Sequence, residues 1–180
     1  MQSGITKQTI KLLNERQIGY LIVTKSDLVC EYMHILDRKL AHVQVSTTWL
    51  PYENAPSTER RINAIESLQE EGFDVAVRLS PFMPEIVDFD RLNSIKCDKV
   101  QVEFLRVNHW IEKWLPMDFS KYTLKSGGYK HLPLEVKLAA LKKITGFKQI
   151  SVCEDVLEHY NYWQQYVNPN KDDCCNLRKE

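Results

Sequence analysis

No stretch of this sequence approaches the roughly 20 apolar residues that a helix needs to cross a bilayer. The opening segment Met1–Lys11 is polar and lacks the apolar core of a signal peptide. Net charge is also missing: 24 Lys and Arg balance 24 Asp and Glu over 180 residues. A chain with no basic excess lacks the electrostatic footprint of a non-specific nucleic-acid binder, so nucleic acid is not supported as a partner. Cys30, Cys97, Cys153, Cys174 and Cys175 form an odd, irregular set, unlike the framework of a secreted disulfide scaffold. There is no G-x-G-x-x-G, G-x-x-x-x-G-K-[ST] or G-x-S-x-G, which removes the common nucleotide loops and the nucleophile elbow. C-x-x-C and H-E-x-x-H are absent as well. The adjacent pair Cys174-Cys175 makes a poor chelate, and no metal ligand is assigned. These absences lead to the expectation of a reduced, cytoplasmic domain with no membrane partner.

What remains is ordinary for a folded protein: 43% hydrophobic and 27% charged residues. The length suits one domain. Apolar spacing predicts helices over 6–17 (capped by Thr6, stopped by Gly19) and 27–36, and one that starts after Ser57 and ends at Gly72. Others are predicted around Phe89–Ile95, Leu134–Ile144 and Tyr160–Val167. The runs Tyr20–Thr24, His42–Thr47, Phe73–Leu79, Lys99–Val107 and Phe147–Cys153 read as strands, the first buried on both faces and Lys99–Val107 the longest. Residues 108–131 look irregular, with a turn at Gly127-Gly128. Strict alternation of helix and strand predicts an α/β fold of about five parallel strands with right-handed crossover helices. An open doubly wound sheet and a partial (β/α) TIM-type barrel both fit. The first strand would then have an unpaired edge. The domain is expected over 1–167, followed by an acidic C-terminal tail, 168–180. From Ser151 onward three basic residues face six acidic ones.

Parallel α/β proteins collect chemistry at the C-terminal ends of their strands. Those ends carry Thr24-Lys25-Ser26, Ser46-Thr47-Thr48, Arg78 with Ser80, Arg106-Asn108-His109 and Cys153-Glu154-Asp155. Strand ends are often polar only because they are exposed, and Ser26 also suits a helix cap. Five such ends in series point to a site. Arg106, Asn108 and His109 are candidate substrate contacts, while Trp110 and Trp114 also suit a covering role over the sheet.

The segments YLIVTKSDLV, HVQVSTT and YENAPSTERRINAIESLQEEGFDVAVRLSPFMPE together resemble the radical S-adenosylmethionine enzymes, in the spore-photoproduct-lyase-like branch. The similarity runs from Ile5 through Val107. The resemblance implies a partial (β/α) barrel and reductive cleavage of S-adenosylmethionine on a 4Fe–4S cluster to a 5′-deoxyadenosyl radical. It also implies that Lys25 contacts the cofactor's methionine carboxylate, that Ser46 hydrogen-bonds the same cofactor, and that Glu53, Arg61 and Arg78 support its site. One departure is large. The family's C-x-x-x-C-x-x-C, whose three thiolates hold the cluster, has no counterpart here. The chain therefore reads as the C-terminal portion of such an enzyme, inactive alone and binding neither S-adenosylmethionine nor a 4Fe–4S cluster stably by itself. An N-terminal half or separate subunit would supply the first two βα units. The alternative is a degenerate, non-catalytic α/β binding or interaction domain. The substrate is not legible.

Overall fold

A computed structural model describes residues 4–50 and 54–169. A helix, α1 (Ile5–Glu15), precedes the first strand, β1 (Tyr20–Thr24). Gly4 rather than Thr6 occupies the α1 N-cap, and the chain leaves the helix through Gln17 at φ 54°, two residues before Gly19. A 3-10 segment over Asp27–Ile35, with the Ser26 hydroxyl accepting from the Leu28 N–H, replaces the expected helix. Then follow β2 (Ala41–Ser46), α2 (Thr58–Glu70), β3 (Asp74–Phe82), the short α3 (Phe89–Asn93) and β4 (Lys99–Phe104). The Ser57 hydroxyl caps α2 on Arg60 N, and Gly72 at φ 76° ends that helical unit. The longest strand is β3, not the one beginning at Lys99.

The stretch expected to be irregular holds α4 (His109–Trp114) and an antiparallel hairpin of β5 (Leu124–Ser126) and β6 (Tyr129–His131). Gly127 and Gly128, both at positive φ, make its two-residue turn. Short three-residue strands fall below what alternation in sequence can reveal. The chain closes with α5 (Leu134–Leu141), β7 (Gln149–Cys153) and α6 (Leu157–Tyr166).

Five strands form one parallel sheet in the order β1-β2-β3-β4-β7. This is the expected α/β architecture, consistent with a partial TIM-type barrel. The period-2 pattern sorts side chains onto two faces. Val43, Val45, Val75, Val77, Leu79, Val100, Val102 and Val152 fill one face and pack against Ile62, Ile65 and Leu68 of α2. Each such fully buried aliphatic side chain contributes about 1.5–3 kcal/mol. His42, Gln44, Ser46, Asp74, Arg78, Lys99, Gln101, Glu103 and Ser151 line the other face. β1 is not buried on both faces: it lies at the sheet edge, and Val23 is 52% exposed. No helix among the described residues is long and apolar enough to cross a membrane.

Candidate functional site

The polar face carries a continuous chain of hydrogen bonds and ion pairs from the N-terminal to the C-terminal end of the sheet. At its start the Asp74 carboxylate takes Lys99 Nζ at 2.8 Å and faces His42 Nδ1 at 3.0 Å. Burial alone raises that carboxyl, but bonds from His42 and Lys99 and their charges win and hold it at about 2. Above it, Gln44 Nε2 lies 3.2 Å from His42 Nε2, and Gln44 Oε1 accepts from Arg78 Nη1 at 2.8 Å. Because the guanidinium can only donate, the amide orientation is fixed. The Gln44 amide nitrogen therefore faces the His42 ring, whose Nδ1 is turned toward Asp74.

Arg78 also pairs with Glu103 at 2.7 Å, and the Ser80 hydroxyl donates to the same carboxylate oxygen at 2.8 Å. The other Glu103 oxygen takes Arg106 at 3.1 Å, and Arg106 reaches Asp155 at 3.1 Å. Burial raises the Asp155 carboxyl, and the Arg106 bond and charge outweigh it, so the group lies below the usual carboxylate range. These residues surround two adjoining pockets that share Glu103 and Arg106. One, of about 120 Å³, is lined by Glu103, Phe104, Arg106, Cys153, Glu154 and Asp155. The other, of about 320 Å³, opens between Ser80, Glu103, Arg106, Asn108, Ile111 and Tyr129.

The hairpin is fastened to this mouth by paired backbone bonds between Val107 and Lys130 (2.9 and 2.8 Å) and by the Lys130–Glu112 ion pair. That attachment brings His131 beside Asp155 and puts the Tyr129 ring 5.8 Å from the Arg106 guanidinium. At the back wall of the smaller pocket the Glu154 side chain is buried. Its Oε1 accepts from the N–H groups of Asp155 and Val156, and its Oε2 takes Lys137 Nζ and Trp163 Nε1. Lys137 Nζ is also 3.1 Å from His159 Nδ1. Burial lowers the affinity of both Lys137 and His159 for a proton, so the imidazole is the acceptor of that bond.

The sequence-derived residues fall in different places. Lys25 follows β1 at the same end of the sheet as the pockets. Ser46 ends β2, and its hydroxyl donates to the Ser80 carbonyl at 3.1 Å, tying the two strand ends together. Arg61, 2% exposed on α2, donates to the carbonyls of Ser46 (2.9 Å) and Thr48 (3.3 Å), so it shapes the loop after β2. Arg78 and Arg106 lie in the charge chain. The Asn108 side chain caps α4 through the N–H groups of Trp110 and Ile111 while lining the larger pocket. His109 is exposed at the start of α4. Glu53, Cys174 and Cys175 lie outside the described residues. Gln44, Glu103, Tyr129, His131 and Lys137 were not singled out from sequence. Gln44 and Glu103 were detectable in principle, as polar residues on the inner positions of strongly alternating strands.

A 4Fe–4S cluster needs three converging thiolates. Among the described residues the cysteines stand apart. Cys30 lies under α2 with its Sγ on Ala64 O, Cys97 precedes β4 with its Sγ on Lys99 O, and Cys153 ends β7. Burial also raises the Cys30 and Cys97 thiols, which keeps them protonated. The residues described here do not fit a cluster.

No protein-family model matches the chain. An uncharacterized protein of Methanocaldococcus jannaschii is 30% identical over 95 residues, covering 48% of this chain and 36% of that protein. Among solved structures, spore photoproduct lyase complexed with a dinucleoside spore photoproduct superposes with a TM-score of 0.56 at 14% identity. That match covers 83% of this chain and 55% of the lyase. The chain thus spans about a third of the archaeal relative and about half of the solved one. The fold resembles that of spore photoproduct lyase.

Proposed function

We propose that the chain is the C-terminal portion of a radical S-adenosylmethionine enzyme, inactive until an N-terminal half or separate subunit adds the cluster-binding βα units. The observation that carries this reading is a parallel sheet with a polar, pocket-bearing face and no strand beyond β1 among the described residues. A fold shared with a radical S-adenosylmethionine enzyme, over 55% of that enzyme's length, agrees with it. Cofactor and cluster would supply the radical chemistry in the completed enzyme, and the residues described here hold no cluster.

This chain's own part is to bind and orient. Lys25 would pair with a ligand carboxylate. The Ser46 hydroxyl donates its hydrogen bond to the Ser80 carbonyl, so toward a ligand it would accept, as from an ammonium group. The pocket between Ser80, Asn108 and Tyr129 would take the substrate, with Arg106 at its wall.

The test begins with the DNA adjoining the coding sequence, searched for a strand followed by C-x-x-x-C-x-x-C. The two polypeptides are then co-produced, reconstituted with iron and sulfide, and titrated with S-adenosylmethionine. The expected result is cofactor binding by the pair and none by this chain alone. Lys25→Ala should weaken it about tenfold or more, the range of a charge-assisted bond. Tight binding by the chain alone, or an unchanged affinity in the variant, overturns the assignment. A second reading, a degenerate binding domain, draws on the mutual neutralisation of Arg78, Glu103, Arg106 and Asp155, which leaves the mouth electrostatically self-contained. It predicts no gain from any added partner.

A further inference from the structure

His131 is 1% exposed, and its Nε2 lies 3.2 Å from the Ser126 carbonyl oxygen. A carbonyl only accepts, so the proton of the neutral ring sits on Nε2 and Nδ1 presents a lone pair. That lone pair faces Asp155 Oδ1 at 3.8 Å, too far for a hydrogen bond, and among the described residues no other hydrogen bond to it is seen. The buried imidazole nitrogen and the exposed Asp155 carboxylate therefore face each other across an open gap. Glu154 completes the group: one ligand atom from each of His131, Glu154 and Asp155 lies within 4.8 Å of the others.

We propose that His131, Asp155 and Glu154 form a site for one divalent transition-metal ion, opening onto the 120 Å³ pocket. Imidazole and carboxylates together suit zinc, manganese, cobalt or ferrous ions rather than calcium or magnesium. The outer partners have the form such sites use. The His131 Nε2–H is held by a backbone carbonyl, and the outer Asp155 oxygen is held by Arg106. Glu154 is anchored by two backbone N–H groups and Lys137.

Arg106 and Lys137 are the charges that oppose a metal here, and they act differently. Lys137 is locked between Glu154 and His159 behind the pocket. Arg106 is 44% exposed and has a second carboxylate, Glu103, plus the Tyr129 ring, so it can release Asp155 when an ion arrives. Asp155 is thus shared between a guanidinium and an ion. Removing the competitor should strengthen metal binding, the opposite of what a merely structural Arg106 would do. The site stands apart from any iron–sulfur chemistry, and its test does not depend on the proposed function.

The whole chain carrying Cys174→Ser and Cys175→Ser, which removes the tail thiols as ligands, is titrated with zinc and manganese by calorimetry and with cobalt by visible absorption. One equivalent is expected to bind. His131→Gln and Asp155→Asn should each weaken binding about tenfold or more, at least the effect of losing an outer partner. Arg106→Gln should tighten it, with circular dichroism unchanged in all three variants. No binding by the chain without the tail thiols, retention of affinity in folded His131→Gln or Asp155→Asn, or unchanged or weaker binding in Arg106→Gln overturns the site.

Discussion

The two edges of the five-stranded sheet are finished differently. At β7 the Asn168 side chain acts as a miniature strand. Its Oδ1 accepts from Val152 N at 2.7 Å, and its Nδ2 donates to Val152 O at 3.1 Å. Both backbone groups of Val152, near the C-terminal end of that strand, are thereby satisfied by one buried amide, placed there by the turn of chain after α6. At β1 no strand pairs with the outer side among the described residues, and Val23, Leu12 and Ile18 are each at least half exposed. One edge is sealed by the chain's own fold, while the other offers backbone donors and acceptors flanked by apolar side chains. An edge left in that state suits a partner strand better than water.

The contrast can be broken by substitution, with the largest effects expected on the β7 side. Lys137→Ala strands the buried Glu154 carboxylate at the end of β7 and should cost about 3–5 kcal/mol, measured by urea unfolding. A loss under 1 kcal/mol would mean that Glu154 is hydrated. In the middle of the sheet, Asp74 links β2, β3 and β4. Its folded carboxyl lies at about 2, below the ordinary 3.8, so its stabilisation is complete above the unfolded value and is lost as pH falls from about 4 toward 2. That contribution is about 2 kcal/mol and should vanish from the acid limb of the stability curve in Asp74→Asn. Asn168→Ala exposes Val152 N and O and should cost about 1–3 kcal/mol in the same unfolding assay. Val23→Thr at the opposite edge should stay within about 0.5 kcal/mol. A larger loss there would show that β1 is already covered within this chain.

Much of the fold was legible because its strands alternate so regularly. HVQVS, DVAVRL and KVQVEF gave the sheet, and the helical spacing between them gave the crossovers. The same alternation held more than was drawn from it, since the polar residues at every second position mark the lined face. β1 misled for a physical reason: YLIVT is apolar throughout, and such a run looks alike whether it is central or an edge awaiting a neighbour. The hairpin escaped notice because three-residue strands carry no period. Its consequence, His131 beside Asp155, joins residues 24 positions apart by a contact that no local pattern encodes. Arg61 was named through the family resemblance and Asn108 as a polar residue at a strand end, but their grip on loop carbonyls and on a helix start is set by tertiary geometry.

A (β/α) sheet cut along its length would normally uncover a wall of aliphatic side chains that clings to anything passing. Here the wall opposite the helices is built from Gln44, Arg78, Gln101, Glu103 and Ser151, most of which are bonded to one another. Such a surface is wettable: it carries its own counter-charges and needs no lid to avoid sticking. Among the described residues, that leaves the narrow rim at β1 as the part of the sheet where apolar side chains meet solvent.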